Sequence, residues 1–448
     1  MKKIILFVLA LCLCFTVFGG TAFAETAEAE AAETETSAAE APAAETAATE
    51  TTSAETPVEK PAAEMTAEEL YQAAGQAYDA GDYGKALEYL QKGADLGDVN
   101  ALYGLGQMYI YGEDYSKAFE CYQKAANLGD ATALNNMGYM YEEGLGVEQD
   151  YARALEYYRQ AADRDDAYGN ASLGDLYRRG KGADQDLIKA AEYFKKALEL
   201  GIDDAPEILK AVDELAVSLR QAGLDATDAE DYGKAMEYFQ LAADLGNAEG
   251  WRGAGYLYQY GLGVEQDFDK AMEYYQLAAD KGDPGAIVNI GAMYEGGLGV
   301  EQDYGKAFEY YQKAAELGDT EILGYIGYMY TMGLGAEQDY GKAMEYYQKA
   351  ADQGETWVLN NIGLLYDLGL GVEQDYGKAL EYFSLAAEQG EPGAMFAIGE
   401  CYHLGQGVKK DLDKAARWYR RALDAGYEQD EEDQAHLKEV LGNAYQQQ

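Results

Sequence analysis

The sequence predicts an all-α solenoid: about ten antiparallel helix pairs stacked in single file and closed by a C-terminal capping helix. Three observations predict it. The motif Gly-x-x-Tyr recurs at Gly255/Tyr258, Gly291/Tyr294, Gly327/Tyr330, Gly363/Tyr366 and Gly399/Tyr402, each copy 36 residues after the last. Between copies lies a glycine-rich loop, as from Gly297 to Asp303, and then a second run, as from Tyr304 to Tyr311. Within both runs the small and apolar residues recur at helical spacing. A fixed period of this length marks stacked supersecondary units, none of which can bury its apolar face alone. Such a stack presents a surface rather than a reaction centre.

The chain opens on a segment with the features of a removable export signal. Lys2 and Lys3 precede an apolar run from Ile4 to Phe18, and Ala22-x-Ala24 offers the small residues a signal peptidase needs. The run is short of the ~20 apolar residues that cross a bilayer. Cleavage after Ala24 is therefore expected, leaving a secreted or envelope-associated chain with no membrane span. Cys12 and Cys14 leave with this segment, because Leu11 and Leu13 stand where lipoprotein processing needs a small residue. Residues 25–64 are Ala, Thr and Glu with scattered Pro, and eleven glutamates face one lysine, Lys60. Such a segment cannot bury enough surface to offset its ordering entropy, so a disordered, self-repelling spacer is expected. A tether is the first reading of it and a binding tail the second.

Charge narrows the partners. The chain carries −47 overall, and residues 65–448 carry −39 of it. That surface argues against nucleic acid and anionic lipid, and leaves a basic protein partner or plain solubility outside the cell. Cys121 stands where another copy has Tyr310, and Cys401 where others have Met293 or Leu365. Both read as small buried residues. Several repeats separate them, whereas a disulfide needs Cα atoms within roughly 7 Å.

One copy shows how the unit is built. Asp283 is placed to cap a first helix with Pro284 preset for its first turn, and Ala286, Ile287, Ile290, Gly291 and Tyr294 form its inner face. Gly296 and Gly297 end it. Asp303 caps a second helix through Ala307, Tyr310, Tyr311, Ala314 and Ala315, which Gly318 ends in the left-handed conformation. A glycine inside a helix, such as Gly291, costs about 0.5–1 kcal/mol relative to Ala. That cost makes sense if a neighbouring helix backbone passes close by, with tyrosines filling the space on either side.

These residues resemble the Sel1-like repeat family, a relative of the tetratricopeptide repeats. The likeness rests on the Leu-Gly-x-x-Tyr-like first helices, the Gly-x-Gly-Val-x-x-Asp loops and the Lys-Ala-x-x-x-Tyr-x-x-Ala-Ala second helices. It covers roughly 66–426 in ten units, near 66–97, 98–129, 130–165, 166–202, 203–246, 247–282, 283–318, 319–354, 355–390 and 391–426. It implies a right-handed superhelix, with a final helix around Asp430 to Tyr445 as the cap. The first two units have short connections (Gly81-Asp82-Tyr83 and Gly112-Glu113-Asp114-Tyr115) closer to the tetratricopeptide form. The fifth, 203–246, lacks the Gly-x-x-Tyr signature, its first helix being read as Ala205 to Ala222 with no interior glycine. A change of curvature near 203–231, and a joint between two sub-arrays, are expected there.

Nothing in the pattern supports catalysis. The Gly-Leu-Gly loops follow helices rather than strands and appear in most units, so they read as connectors and not phosphate cradles. His403 and His436 lie in different elements with no thiol or second histidine at ligand spacing, so no metal site and no cofactor are expected. Asp165-Asp166 and Asp203-Asp204 fall at unit boundaries, where helix caps are needed.

Function then falls to the concave face, which the resemblance implies is lined by first helices. The implied positions lie six before, three before, one after and four after the helical glycine. They place Arg252 and Tyr256, then Tyr328, then Trp357, Asn360 and Leu364, then Phe396 and His403 in a partner-binding groove. Glu249, Gln259, Val288, Glu295, Glu321, Thr331, Asp367 and Glu400 share these registers. The positions vary between copies while the core does not, as a surface tuned to a partner would, and as drift would too. Trp357 either forms an anchor pocket with Tyr328, Leu364 and Phe396 or packs along the neighbouring helix. Trp251 and Trp418 read as core, and Asn136, Asn289 and Asn361 as buried side chains bonded to loop backbone. The reading is a non-catalytic scaffold or adaptor, exported from a bacterial cell, that binds a protein or peptide. The alternatives are a regulator of a cell-envelope enzyme and, less favoured, a β-lactam-binding or hydrolysing enzyme. The cysteine-rich relatives associated with β-lactams carry a cysteine pair in each repeat, which this chain lacks.

Overall fold

A computed structural model describes residues 61–202, 205–428 and 431–442. Residues 1–24, read above as an export signal, and almost all of the acidic stretch 25–64 fall outside the described residues, as do Asp203 and Asp204. Of the spacer, Ala62–Glu64 is in view as a single 3-10 turn. The described residues hold 21 α-helices and no strand. Helices α1 (Ala67–Asp79), α2 (Tyr83–Asp95), α3 (Val99–Tyr111), α4 (Tyr115–Asn127) and α5 (Ala131–Glu143) come first. They are followed by α6 (Tyr151–Ala162), α7 (Ala167–Arg179), α8 (Leu187–Glu199), α9 (Pro206–Asp228) and α10 (Tyr232–Asp244). Then come α11 (Ala248–Tyr260), α12 (Phe268–Asp280), α13 (Pro284–Gly296), α14 (Tyr304–Glu316), α15 (Ile322–Met332) and α16 (Tyr340–Asp352). The last are α17 (Val358–Leu368), α18 (Tyr376–Glu388), α19 (Pro392–Leu404), α20 (Leu412–Asp424) and the cap α21 (Glu431–Leu441). Odd-numbered helices up to α19 open a repeat and even-numbered ones complete it.

Packing divides the described chain into two compact units. One runs from 61 to 222 and takes in 241–247; the other comprises 223–240 and 248–442. In both, local chemistry sets the helix ends. Asp303 Oδ1 accepts the Lys306 N–H at 3.0 Å, and Asp339 and Asp411 repeat the cap at Lys342 and Lys414. Each cap is worth about 1 kcal/mol. Most first helices stop where glycine enters the left-handed region, as at Gly297 (φ 64°), while Glu113 (φ 58°) and Glu230 (φ 57°) take that conformation after α3 and α9. The second loop glycine has a further duty. A Cβ on Gly299 would stand 2.6 Å from Phe268 Cβ, so this loop rests on the first turn of the preceding repeat's second helix. The loops are connectors, as their position after a helix predicts.

The helical glycine works differently from the expectation. A Cβ on Gly291 would stand 2.6 Å from the ring of Tyr311, the residue at the same helical position of the second helix. Gly138/Tyr158, Gly255/Tyr275, Gly327/Tyr347, Gly363/Phe383 and Gly399/Tyr419 repeat the contact. The glycine makes room for an aromatic ring before it makes room for backbone; the nearest carbonyls, such as Ala271 O beside Gly255, come next at 3.2 Å. The fifth repeat also departs from its prediction. Its first helix does not stop at Ala222 but runs to Asp228, and Gly223 supplies the glycine, with Phe239 2.6 Å from its Cβ position. Phe239 is pressed by Gly253 on another side at the same distance. The missing glycine that motivated a joint is therefore present, displaced by a long helix.

Outside this seam other tyrosines stack in pairs within several repeats. Tyr294 stacks on Tyr310 at 5.6 Å and Tyr366 on Tyr382 at 5.8 Å, while Lys306 and Lys378 sit over the Tyr294 and Tyr366 rings at 4.8 and 5.0 Å. The lysines of these two Lys-Ala motifs are thus each held by both a cap and a ring. Cys121 and Cys401 are buried and free, and burial pushes the Cys401 thiol up to about 12. Trp251 and Trp418 are half-buried rather than fully core.

Candidate functional site

The residues assigned to a groove are mostly spent on joining repeats. The register four after the glycine serves the buried ring. Tyr311 O–H donates to Glu295 Oε2 at 2.7 Å, Tyr158 to Glu142 at 2.8 Å and Tyr275 to Gln259 at 2.6 Å. The Thr331 and Tyr347 hydroxyls pair at 3.1 Å, and His403 Nδ1 meets Tyr419 O–H at 3.4 Å. A buried hydroxyl without a partner costs about 1–3 kcal/mol, which is why a polar residue recurs there. Asn289 and Asn361 stand beside the Tyr275 and Tyr347 phenols and lower their pKa against the effect of burial.

Where the ring is Phe, the register is released. Opposite Phe194, Arg178 turns to Asp175 (2.8 Å) and Glu214 (3.0 Å). Opposite Phe383, the Asp367 carboxyl has no such phenol; burial, with Glu400 nearby, pushes its pKa up to about 6.

The other registers show large residues answering small ones across neighbouring first helices. The Trp357 indole covers the place of a Gly324 side chain, meets Tyr347 edge-on at 6.4 Å and donates from Nε1 to Glu355 at 3.0 Å. The anchor-pocket reading of Trp357 gives way to packing along its neighbour. Arg252 lies over Gly285 and bonds the capping Asp283 at 2.8 Å. Asn360 is buried beside Gly393. Phe396 is buried and stacked on Tyr427 at 4.5 Å, and His403 is buried between Tyr419, His436 and Glu439. Tyr328 is buried against Tyr325. Tyr328, Asn360, Phe396 and His403 are therefore corrected from groove to core. Tyr256, half-buried against Tyr260, and the half-buried Leu364 keep part of their surface. These registers vary because each must fit the residue opposite.

Open space on the first helices lies elsewhere, in the N-terminal unit. A cavity of about 360 Å³ spans α5, α7 and α9, lined by Tyr139, Glu143, Arg178, Glu207 and Glu214 among others. A second, of about 330 Å³, lies on α1 and α3 with Ala86 and Leu90 of α2 in its wall. Neither was visible as a site in the repeat pattern, because the N-terminal copies deviate from the consensus. Among the described residues, no group of three or more His, Cys, Asp or Glu is arranged to hold a metal, and no helix is long and apolar enough to cross a membrane.

The comparisons agree with this architecture. The Sel1 repeat model matches ten stretches: 66–98, 99–130, 131–166, 167–202, 211–247, 252–283, 284–319, 323–355, 359–391 and 392–427. No curated protein matches the chain significantly. Among solved structures, a protective antigen of uropathogenic Escherichia coli strains displaying an SLR fold is 29% identical. That likeness covers 84% of this chain and 79% of that one, with a TM-score of 0.51. A Sel1 repeat protein from Oxalobacter formigenes is also 29% identical over 51% of this chain and 100% of that one, at a TM-score of 0.44. Solenoids of this kind are typically non-catalytic scaffolds that mediate protein interactions. Ten tandem copies matched over well beyond half its length make this chain a member of the Sel1 repeat family.

Proposed function

We propose that this chain is a non-catalytic scaffold, exported from a bacterial cell, that binds a basic segment of a protein partner across the first helices of repeats three to five. The observation that carries the reading is the 360 Å³ cavity spanning α5, α7 and α9. It is built from three consecutive repeats, so a ligand lying there would read several copies at once. Its ions are unevenly matched: Glu142, Glu143, Asp175, Glu207 and Glu214 line it against Arg178 and the exposed Lys210. Arg178 and Arg179 are spent on Asp175, Glu142 and Glu214, while Glu143 and Glu207 keep exposed carboxylates at the rim. Tyr139, 49% exposed, adds an aromatic face that attracts cations. Export is supported by Lys2-Lys3, the apolar run and Ala22-x-Ala24. It is supported also by the resemblance to a protective antigen, a protein the immune system meets.

A photo-crosslinking residue at position 139 tests this, with a second chain carrying it at position 304 on the second-helix side. Cells are treated before fractionation into envelope and culture fluid. One partner captured from position 139 and absent from position 304, and displaced by salt, is the expected result. Equal capture from both positions, or from neither, removes the site.

A further inference from the structure

Gly75 is a helical glycine that packing does not explain. The first-helix glycines of the seam, one position earlier in their helices, exclude a side chain because a ring stands there, as Tyr122 does 2.6 Å from the Cβ position of Gly106. At Gly75 nothing lies within 4 Å of that position. Gly75, itself exposed, lines the 330 Å³ cavity on α1 and α3, whose wall is mostly apolar, with Leu90, Met108 and the rings of Tyr71, Tyr78 and Tyr111 beside Gln72, Gln107 and Asp79. Those tyrosines are 41%, 43% and 74% exposed. Later repeats fill the same register with side chains: Tyr139, Leu224, Tyr256, Tyr328 and Leu364 stand where Gly75 is bare. A glycine in a helix is disfavoured unless something approaches its backbone. Here no part of the described chain does.

We propose that the slot over Gly75 receives a leucine-sized side chain from a basic segment of the partner. This rests on the scaffold reading above and adds an anchor point to it. Charge selects the occupant. Asp79 is the one acidic residue in the wall, and no lysine or arginine of the described residues lines the cavity. The chain around it carries 81 acidic against 34 basic residues. Three exposed phenol faces attract a cation beside the apolar anchor, and the cavity of about 330 Å³ has room for one branched side chain. An acidic or purely polar segment would leave Asp79 repelled and the slot unfilled.

The probes are fluorescein-labelled Lys-Lys-Gly-Leu-Gly-Lys-Lys, the same peptide with Ala for Leu, and the same with Glu for every Lys, titrated into the full chain by anisotropy. The leucine peptide binds, and either replacement weakens it by about tenfold or more. Gly75→Leu supplies the missing side chain from within. It is expected to abolish binding while its melting temperature stays at or above that of the parent. If Gly75→Leu does not fold, Tyr111→Ala, at a mostly exposed ring, replaces it and must weaken binding at least fivefold. Unchanged binding in the variant that folds, equal binding of the Leu and Ala peptides, or no binding of the leucine peptide overturns the slot. Crosslinking from position 139 is run on the same variant. Its persistence when the slot fails leaves the scaffold reading standing, and loss of both removes it.

Discussion

The first and seventh repeats solve one packing problem in two ways. In the seventh, Gly291 stands opposite Tyr311, and the ring occupies the volume a side chain would need. In the first, the same register holds Ala74 opposite Leu90, both buried in one cluster, and the glycine stands one residue later over empty space. Gly with Tyr and Ala with Leu are alternative fillings of a single gap, so a glycine in these helices has two meanings. One is a ring that needs room; the other is room that nothing in the described chain uses.

The largest effect should come from emptying the gap. Tyr311→Ala is expected to cost about 3–5 kcal/mol by denaturant unfolding; a loss below about 1 kcal/mol would show that the ring is not what the glycine serves. Crowding the gap comes next. Gly291→Ala should cost about 1–3 kcal/mol, and adding Tyr311→Leu should recover much of it by copying the first repeat. Simple additivity of the two would break the equivalence.

The ninth repeat sharpens the comparison by pH. Its Asp367 occupies the register of Glu295 but faces Phe383, and its carboxyl is raised to about 6 from an ordinary ~3.9. The folded chain keeps a proton there that the unfolded chain releases, so stability falls as pH rises from about 4 to about 6. Asp367→Asn should flatten that part of the melting-temperature profile; an unaltered slope would place the titration elsewhere. The smallest effect is a gain. Gly75→Ala should stabilise the chain by about 0.5–1 kcal/mol, and a loss would mean that the open space over it is already filled.

Much of this could be read in advance, and the failures share a cause. Helix ends, loop roles and the ten copies follow from Asp, Gly and Tyr at fixed spacing, because caps and turns depend on a few neighbouring residues. The groove assignment failed at Tyr328, Asn360, Phe396 and His403 because helical register tells which side a residue faces, not what stands opposite. A signal was nonetheless present. Arg252 and Gly285, Gly324 and Trp357, Asn360 and Gly393 are each 33 residues apart, and each sets a large or polar side chain against a glycine. Read as pairs across the seam, these variable positions point to contact between repeats. The fifth repeat was missed for a similar reason: Gly223 lies far enough along a 23-residue helix to fall outside the expected frame.

The sequence by itself determined that two-helix modules repeat and where each helix begins and ends, because those outcomes are local. Only the tertiary structure decided which glycines are filled, which polar residues serve a buried phenol and where space remains open. Those outcomes depend on atoms brought together from different helices, and a volume left open between several of them belongs to no single stretch of sequence.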